Sequence, residues 1–439
     1  MSNRRAFLKQ TVAAAGTFSL LELTHPVFAA EIKNQVKRIS GLPPDEAARD
    51  EDFWSYIREC FTVNPNLINL NNGGVSPQPK VVQDAHIRYY QYCNEGPSYY
   101  MWRILDQGRE PLRAKLADMA GCSPDEVAIN RNSTEGLNTI IFGLNLKAGD
   151  EVVLCHYDYP NMMNAWRQRE AREGIKLTWL DFDFPVEDDH AIVEAYEKAI
   201  TPKTKIVHVT HLINWVGQIM PVKKIADMAH AKGCEVIVDG AHTFSHLDFK
   251  VPDLGGDYFA TSLHKWACCP FGSGMMYVKK DKIKNVWALL SNDKPAGDDI
   301  RKFESIGTRS FASEMAISSA IDFNLMIGIK RKEARLRFLK NYWTEKVKSL
   351  PNVKFSSSLK PEWSCAIALL SIDGWKSSEI ESWLLDKKKI HCTTIEYRKL
   401  NGVRITPHVY TSLKDLDKLV QGVQEMSAML PPARKTSEK

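Results

Sequence analysis

The chain has 439 residues, 44% of them hydrophobic and 25% charged, with a formal net charge of +5. That is ordinary globular composition, long enough for two cores rather than one. The charge is too near balance to call for a nucleic-acid or anionic-membrane partner, and no internal repeat or low-complexity tract stands out.

In chain order, residues 1–30 read as a cleavable leader. NRRAFLKQ is a twin-arginine n-region, TVAAAGTFSLLEL is an apolar run too short to span a bilayer, and VFAA is a small-residue cleavage signal. Asn3 stands where that pattern usually has Ser or Thr. Such a leader predicts export by the twin-arginine translocase to the periplasm, in folded form. Its removal takes away Arg4, Arg5, Lys9 and Glu22, lowering the formal charge from +5 to +3.

Residues 31–75 read as a polar arm with a short helix, ending in the strand LINL and a Gly/Pro-rich loop. From about Val81 the pattern alternates. Helical spacing in EPLRAKLADMAG is followed by VAIN, the helix STEGLNTIIFGLNL, the strand EVVLCH, the helix NMMNAWRQREAREG and the strand KLTWLDF. KIVHVTHL, the helix PVKKIADMAHAKG, CEVIVDG and YFATSL continue it, with apolar residues at consecutive positions as in strands buried on both faces. Alternating units of this kind predict an α/β fold with a mostly parallel sheet sandwiched by helices, occupying 76–305. A helical stretch from about Ala312 to Leu350 then opens a smaller α+β domain over 306–431, followed by a polar tail, 432–439.

In parallel sheets ligands bind beyond the carboxyl ends of the strands, so the polar residues there carry the chemistry. Asp239 ends the apolar strand VIVD, where a carboxylate is costly without a cationic group facing it. Lys265 lies just past the next strand, in SLHKWACCPFGSGMM, among small, apolar and ring side chains. A lysine in a partly desolvated pocket has a lowered pKa and attacks carbonyls. Together they are the two fixed points of a pyridoxal phosphate site, a Schiff-base lysine and an acid pairing with the ring nitrogen. Ser133 and Thr134 open a helix, where hydroxyls and free N–H groups can hold a phosphate.

DGAH, SLHKW and CPFGSGMMYV together resemble the fold-type I enzymes of the class V aminotransferase family, most nearly the isopenicillin N epimerase-like branch, from LNLNNGG to GVRITPHVYTS. The resemblance implies pyridoxal 5'-phosphate as cofactor, with Lys265 its covalent anchor and Asp239 the partner of the ring nitrogen. It implies that His242 and Asn214 contact the ring hydroxyl, that Ser262 and His264 complete a phosphate cup with Ser133 and Thr134, and that Tyr159 stacks on the ring. Thr308, in ESIGTRS, matches a threonine that reaches the phosphate of a neighbouring subunit, which implies a homodimer with shared sites. Arg404 matches the arginine that clamps a substrate carboxylate, as its planar fork suits. Asn72 and Gly73 are expected at the mouth of the site. No metal is expected.

The nine cysteines show no C-x-x-C pair or zinc spacing and several sit in apolar runs, so free buried thiols are expected. Three reactions stay open: transamination, epimerisation, and elimination or desulfuration. Within the last, desulfuration needs a persulfide-carrying cysteine on a mobile loop, and Cys392 in KIHCTTIEY lies in a strand-like alternation without loop-forming glycine or serine. Export with this family resemblance points to tailoring of a secreted amino-acid-derived metabolite such as a siderophore of the pyoverdine type. The reading from another class is a catalytically idle relative that binds a ligand.

Overall fold

The computed structural model describes residues 26–431. The expected leader therefore lies outside the described residues up to residue 25, and so does the tail, 432–439. Among the described residues no helix is long and apolar enough to cross a membrane.

A seven-stranded sheet organises the larger unit. Its strands are β2 (Val127–Asn130), β3 (Glu151–Cys155), β4 (Lys176–Leu180), β5 (Thr204–Thr210), β6 (Glu235–Asp239), β7 (Tyr258–Ser262) and β8 (Gly274–Val278), in the order β2-β8-β7-β6-β5-β3-β4. Neighbours from β7 to β4 run parallel, while β8 is antiparallel to both β7 and β2. Successive side chains of a strand point to opposite faces. Val153, Val207, Val236, Val238 and Phe259 accordingly enter one apolar cluster, and Val152, Leu154, Ile206, Ile237 and Ala260 enter another. The continuous apolar runs in the sequence have this cause.

Helices Ser133–Gly143 and Pro160–Glu173 cover the second face with Leu137, Ile140, Met162 and Trp166. Helices Lys80–Glu95, Arg109–Ala120, Asp189–Ala199 and Val222–Ala231 supply the first cluster. The helical stretch expected as one piece is two, Phe311–Ile327 and Ile329–Val347. Gly328 parts them with φ of +87°, a conformation costly for side-chain-bearing residues. The first of the two buries Phe311, Met315, Ile321 and Ile327 in the large-sheet core, although the sequence division assigns it to the C-terminal domain.

The smaller unit is an antiparallel sheet of β9 (Val353–Phe355), β10 (Ala368–Ile372), β12 (Thr393–Tyr397) and β13 (Leu400–Ile405), ordered β12-β13-β10-β9. Helices Ile329–Val347, Ser377–Lys388 and Leu413–Ala428 pack on it through Leu339, Trp343, Ile380, Leu384, Leu416 and Val423. The segment expected as a polar arm is tied to both units. Phe53, Trp54 and Ile57 enter the large core. The two-residue β1 (Ile68–Asn69) pairs in parallel with β11 (Ile390–His391), and Ile68 and Leu70 enter the small core. Residues 70–74 thereby cross between the units at the edge where the large strands end.

Candidate active site

Because β3, β5, β6 and β7 are parallel, the segments after them emerge on one edge. Tyr159 follows β3, Asn214 follows β5, Asp239 ends β6 and Lys265 follows β7. The sheet register sets Asp239 beside Thr210 on one side and Ala260 on the other. At 2% exposure, Asp239 is a buried carboxylate with no ion-pair partner within 4 Å among the described residues; its Oδ1 accepts from Ala241 N at 2.9 Å. Burial pushes its pKa up, opposed by that N–H and by the charge of Lys265.

Lys265 Nζ lies 3.1 Å from His242 Nε2. Desolvation brings the amine down to about 8, with Asp239 pulling it up and Arg404 pushing it further down. At pH 7 about a tenth of it is thus the uncharged nucleophile, far more than for an ordinary lysine. His242 is 4% exposed, and burial together with Lys265 and Arg404 holds its ring neutral.

The helix Ser133–Gly143 starts beside this lysine. Asn132 caps it by accepting from Glu135 N, and the buried Ser262 Oγ accepts from Ser133 N at 3.0 Å and lies 2.9 Å from Ser133 Oγ. Thr134 is half-buried in the first turn. His264, also half-buried, has Nδ1 3.1 Å from Ser273 O. Close approach of the backbone requires glycine here: a Cβ on Gly274 would sit 2.6 Å from Asn132 N. Two hydroxyls and a helix N-terminus meeting on β7 form an anion-binding edge.

Arg404, on β13, reaches across from the small unit. It is 7% exposed, donates from Nη1 to Asn214 O at 2.9 Å and from Nη2 to Asn71 Oδ1 at 3.1 Å, and burial lowers it to about 10, so it stays charged at neutral pH. Tyr159, 39% exposed at the start of helix Pro160–Glu173, acts on this guanidinium electrostatically. Gly73 lies against it, since an added Cβ would come 3.4 Å from Arg404 Cζ and 3.1 Å from Thr406 Cγ2.

Asn72 departs from expectation. Its side chain is fully buried, donating to Thr406 O at 2.8 Å and accepting from Tyr410 Oη at 2.5 Å, so it locks the loop instead of facing the mouth. The neighbouring Asn71 makes the contact with Arg404. The one cue in LNLNNGG is that consecutive residues of an extended segment face opposite ways. Thr308 is exposed on this chain, outside the cluster. Also unforeseen were Trp266, whose indole faces His242, and Asp158, buried and bonded to Thr210 Oγ1 at 2.6 Å. Both adjoin residues singled out from the sequence, but only the packing shows what they touch.

All nine cysteines are free, and eight are buried. Cys392 lies between β11 and β12 at 1% exposure in the small core, its thiol pushed up to about 12 by desolvation. Beyond it the chain makes a tight β12–β13 hairpin across Arg398 and Lys399, anchored by Arg398 to Asp181 at 2.8 Å and by Lys399 to Asp183.

The residues present fit a pyridoxal phosphate. A buried carboxylate without a cation suits a protonated ring nitrogen, the Ser133–Ser262 edge suits a phosphate, and Asn214 Oδ1 and Arg404 Nε are buried without hydrogen-bond partners among the described residues. Residues 68–419 match the family model described as Aminotransferase class-V. Isopenicillin N epimerase of Amycolatopsis lactamdurans is 25% identical over 395 residues, spanning 85% of this chain and 98% of the relative. Cysteine desulfurase of Haloferax volcanii is 26% identical over 384 residues, spanning 81% and 88%. Among solved structures, the apo cysteine desulfurase from Thermococcus onnurineus NA1 superposes with a TM-score of 0.75 at 23% identity, covering 86% of this chain and 98% of the other. The cystine C-S lyase C-DES, complexed with cysteine persulfide, gives 0.73 at 20%, covering 84% and 99%. These structural likenesses establish the fold-type I architecture. With the family match running through both units and the site joining them, the chain belongs to the class-V aminotransferase family, and its cofactor is pyridoxal 5'-phosphate.

Proposed function

We propose that this protein is an enzyme acting at the α-carbon of an amino acid or an amino-acid-derived metabolite, with transamination as its reaction. The observation that carries the reading is the placing of Lys265 Nζ 3.1 Å from His242 Nε2, within the electrostatic reach of both Asp239 and Arg404. Arg404 binds the substrate carboxylate, its Nε free of partners among the described residues. Lys265 Nζ takes the α-proton, a task suited to an amine brought down to about 8, and for transamination it would have to deliver that proton to the cofactor carbon and not back to the α-carbon. Asp239 would pair with a protonated ring nitrogen, whose charge would hold the carboxylate ionised against its burial. Pyridoxal phosphate, when bound, supplies the sink for the electron pair left behind.

Desulfuration is disfavoured by the cysteines. Its persulfide carrier must be a thiolate on a movable loop, whereas Cys392 is sealed in the small core and a pinned hairpin follows it. Epimerisation is the second reading, supported by the similarity to isopenicillin N epimerases across 85% of the chain. The setting we propose is the periplasm, reached by the twin-arginine route, with a siderophore-like peptide as substrate and a homodimer as the working form, Thr308 serving the neighbouring site. The leader motif supports the first, and the exposed position of Thr308 suits the last.

The test is to incubate the holoprotein in deuterated water with L- and D-amino acids and short peptides. The expected result is α-deuterium incorporation with formation of pyridoxamine phosphate, reduced ~10²–10⁴-fold or more in Lys265→Ala, which also loses the visible absorption of lysine-bound cofactor. Inverted substrate without pyridoxamine phosphate would select epimerisation. Exchange that persists in Lys265→Ala would sink the reading.

A further inference from the structure

Trp266 follows Lys265 directly and is fully buried. Its indole stacks on His246 with centroids 3.8 Å apart and on His408 at 5.4 Å. The backbone is held as well. Lys332 Nζ donates to Trp266 O and, at 2.6 Å, to Asn324 Oδ1, while Asn324 Nδ2 donates to Ala267 O at 2.8 Å. Two helices thus fix the turn after the lysine, and the indole Nε1 comes to rest 3.3 Å from His242 Nδ1.

An indole N–H donates and cannot accept. His242 Nδ1 must present its lone pair to it, and the proton of the neutral ring then resides on Nε2. That nitrogen faces Lys265 Nζ, where an uncharged amine has a lone pair to accept a hydrogen bond and an ammonium has none. We propose that Trp266 is a positioning residue whose indole N–H fixes His242 as its Nε2–H tautomer, and that this tautomer favours the uncharged, reactive amine of Lys265.

The remaining groups facing the pair act on charge and not on the choice of tautomer. Asp239 favours the ammonium and Arg404 opposes it; Lys265, Arg404 and His246 oppose charge on His242. His246 Nδ1 is engaged with His242 O at 2.7 Å and does not compete for the ring nitrogens. The second half of the proposal rests on Lys265 being the cofactor-bearing amine; the first half does not.

The experiment uses the full chain without cofactor, as wild type, as Trp266→Phe, and with β-(3-benzothienyl)alanine at position 266, which keeps the indole shape and removes the N–H. Nitrogen-15 spectra of histidine-labelled protein, with His242 assigned through His242→Gln, report the tautomer. The wild type should show Nε2–H and both variants a mixture. The rate of pyridoxal phosphate attachment against pH reports the lysine. Its midpoint, about 8 in the wild type, should rise by about one pH unit in the variants, slowing attachment at pH 7 about tenfold. A wild-type ring protonated on Nδ1, or folded variants with an unchanged tautomer, would overturn the proposal. So would a changed tautomer with an unmoved midpoint, for its second half. Attachment elsewhere than Lys265 would instead overturn the assigned function and leave the tautomer result standing.

Discussion

At the scale of the residue, the candidate site is made of groups that are costly where they stand. Asp239 is buried without an ion pair among the described residues, and Lys265 is desolvated beside a neutral histidine. Structural residues are seldom placed so, and perturbed groups gathered at strand ends mark sites. Arg404 gives the sharpest prediction at this scale. Its fork is held by Asn214 O and Asn71 Oδ1, leaving Nε without a partner among the described residues. In Arg404→Lys the charge remains and the fork is lost, so kcat/KM for an amino acid should fall ~10–100-fold, mainly through KM, in steady-state kinetics. Lys265, Asp239 and Ser133 stood out because each sits at an element boundary that the apolar runs mark, whereas Ser262 came only with the family resemblance. Asn71 and Trp266 were not, because what they do depends on neighbours hundreds or tens of residues away, Arg404 and His242.

At the scale of the element, strands and helices followed the periodicity closely where both faces of the large sheet are buried. The failures have local causes. Gly328 splits an otherwise continuous helical pattern, which periodicity alone passes over because its flanks remain apolar at helical spacing. β1 is two residues long and exists through its pairing with β11, 322 positions away from Ile68. Gly217 shows how tightly elements of the two units meet at the site: its φ is +73° and an added Cβ would lie 2.4 Å from Ile367 O. Gly217→Ala should cost about 1–3 kcal/mol of stability in urea unfolding and displace the neighbouring Asn214 loop, seen as weakened pyridoxal phosphate binding. Cys392→Ala tests the hairpin argument. It should lower stability by about 1 kcal/mol for the lost packing and leave turnover within a factor of two, roughly, whereas a desulfurase cysteine would take sulfide release with it.

At the scale of the whole molecule, buried histidines set the response to acid. His208 and His211 are lowered to about 4 and His246 to about 3 by burial, and His242 and His408 lie well below their ordinary value. A group whose folded pKa is depressed binds more protons when unfolded, so its contribution to stability is present above the unfolded pKa and lost as pH falls. Asp158, raised to about 7, and Asp239 act oppositely over the same range, being preferentially protonated in the folded chain. Five histidines outweigh two aspartates, and the melting temperature should fall between about pH 6.5 and 4 in calorimetry, more steeply in Asp158→Asn and Asp239→Asn, which remove the opposing carboxyls. Tyr90, Tyr99, Trp102 and Phe271 are large apolar groups left exposed on this chain. A homodimer with shared sites would cover such groups, and sedimentation should give a dimer that Trp102→Asp weakens toward monomer.

The sequence by itself determined the alternation of buried strands and helices, the ends of those strands, and the chemical types placed at them. These are local properties, written in side-chain period and in the neighbours of DGAH and SLHKW. The likeness of DGAH and SLHKW to the class-V aminotransferase family then implied the cofactor. Only the tertiary structure decided that residues 68–74 run between the two units, that Arg404 crosses to Asn214 and Asn71 while Asn72 turns inward, and that Cys392 is sealed under a pinned hairpin. Only the packed core, too, sets the Trp266 indole against His242 beside the lysine. Each of these depends on which side chain fills which space once distant segments meet, and no spacing along the chain encodes that.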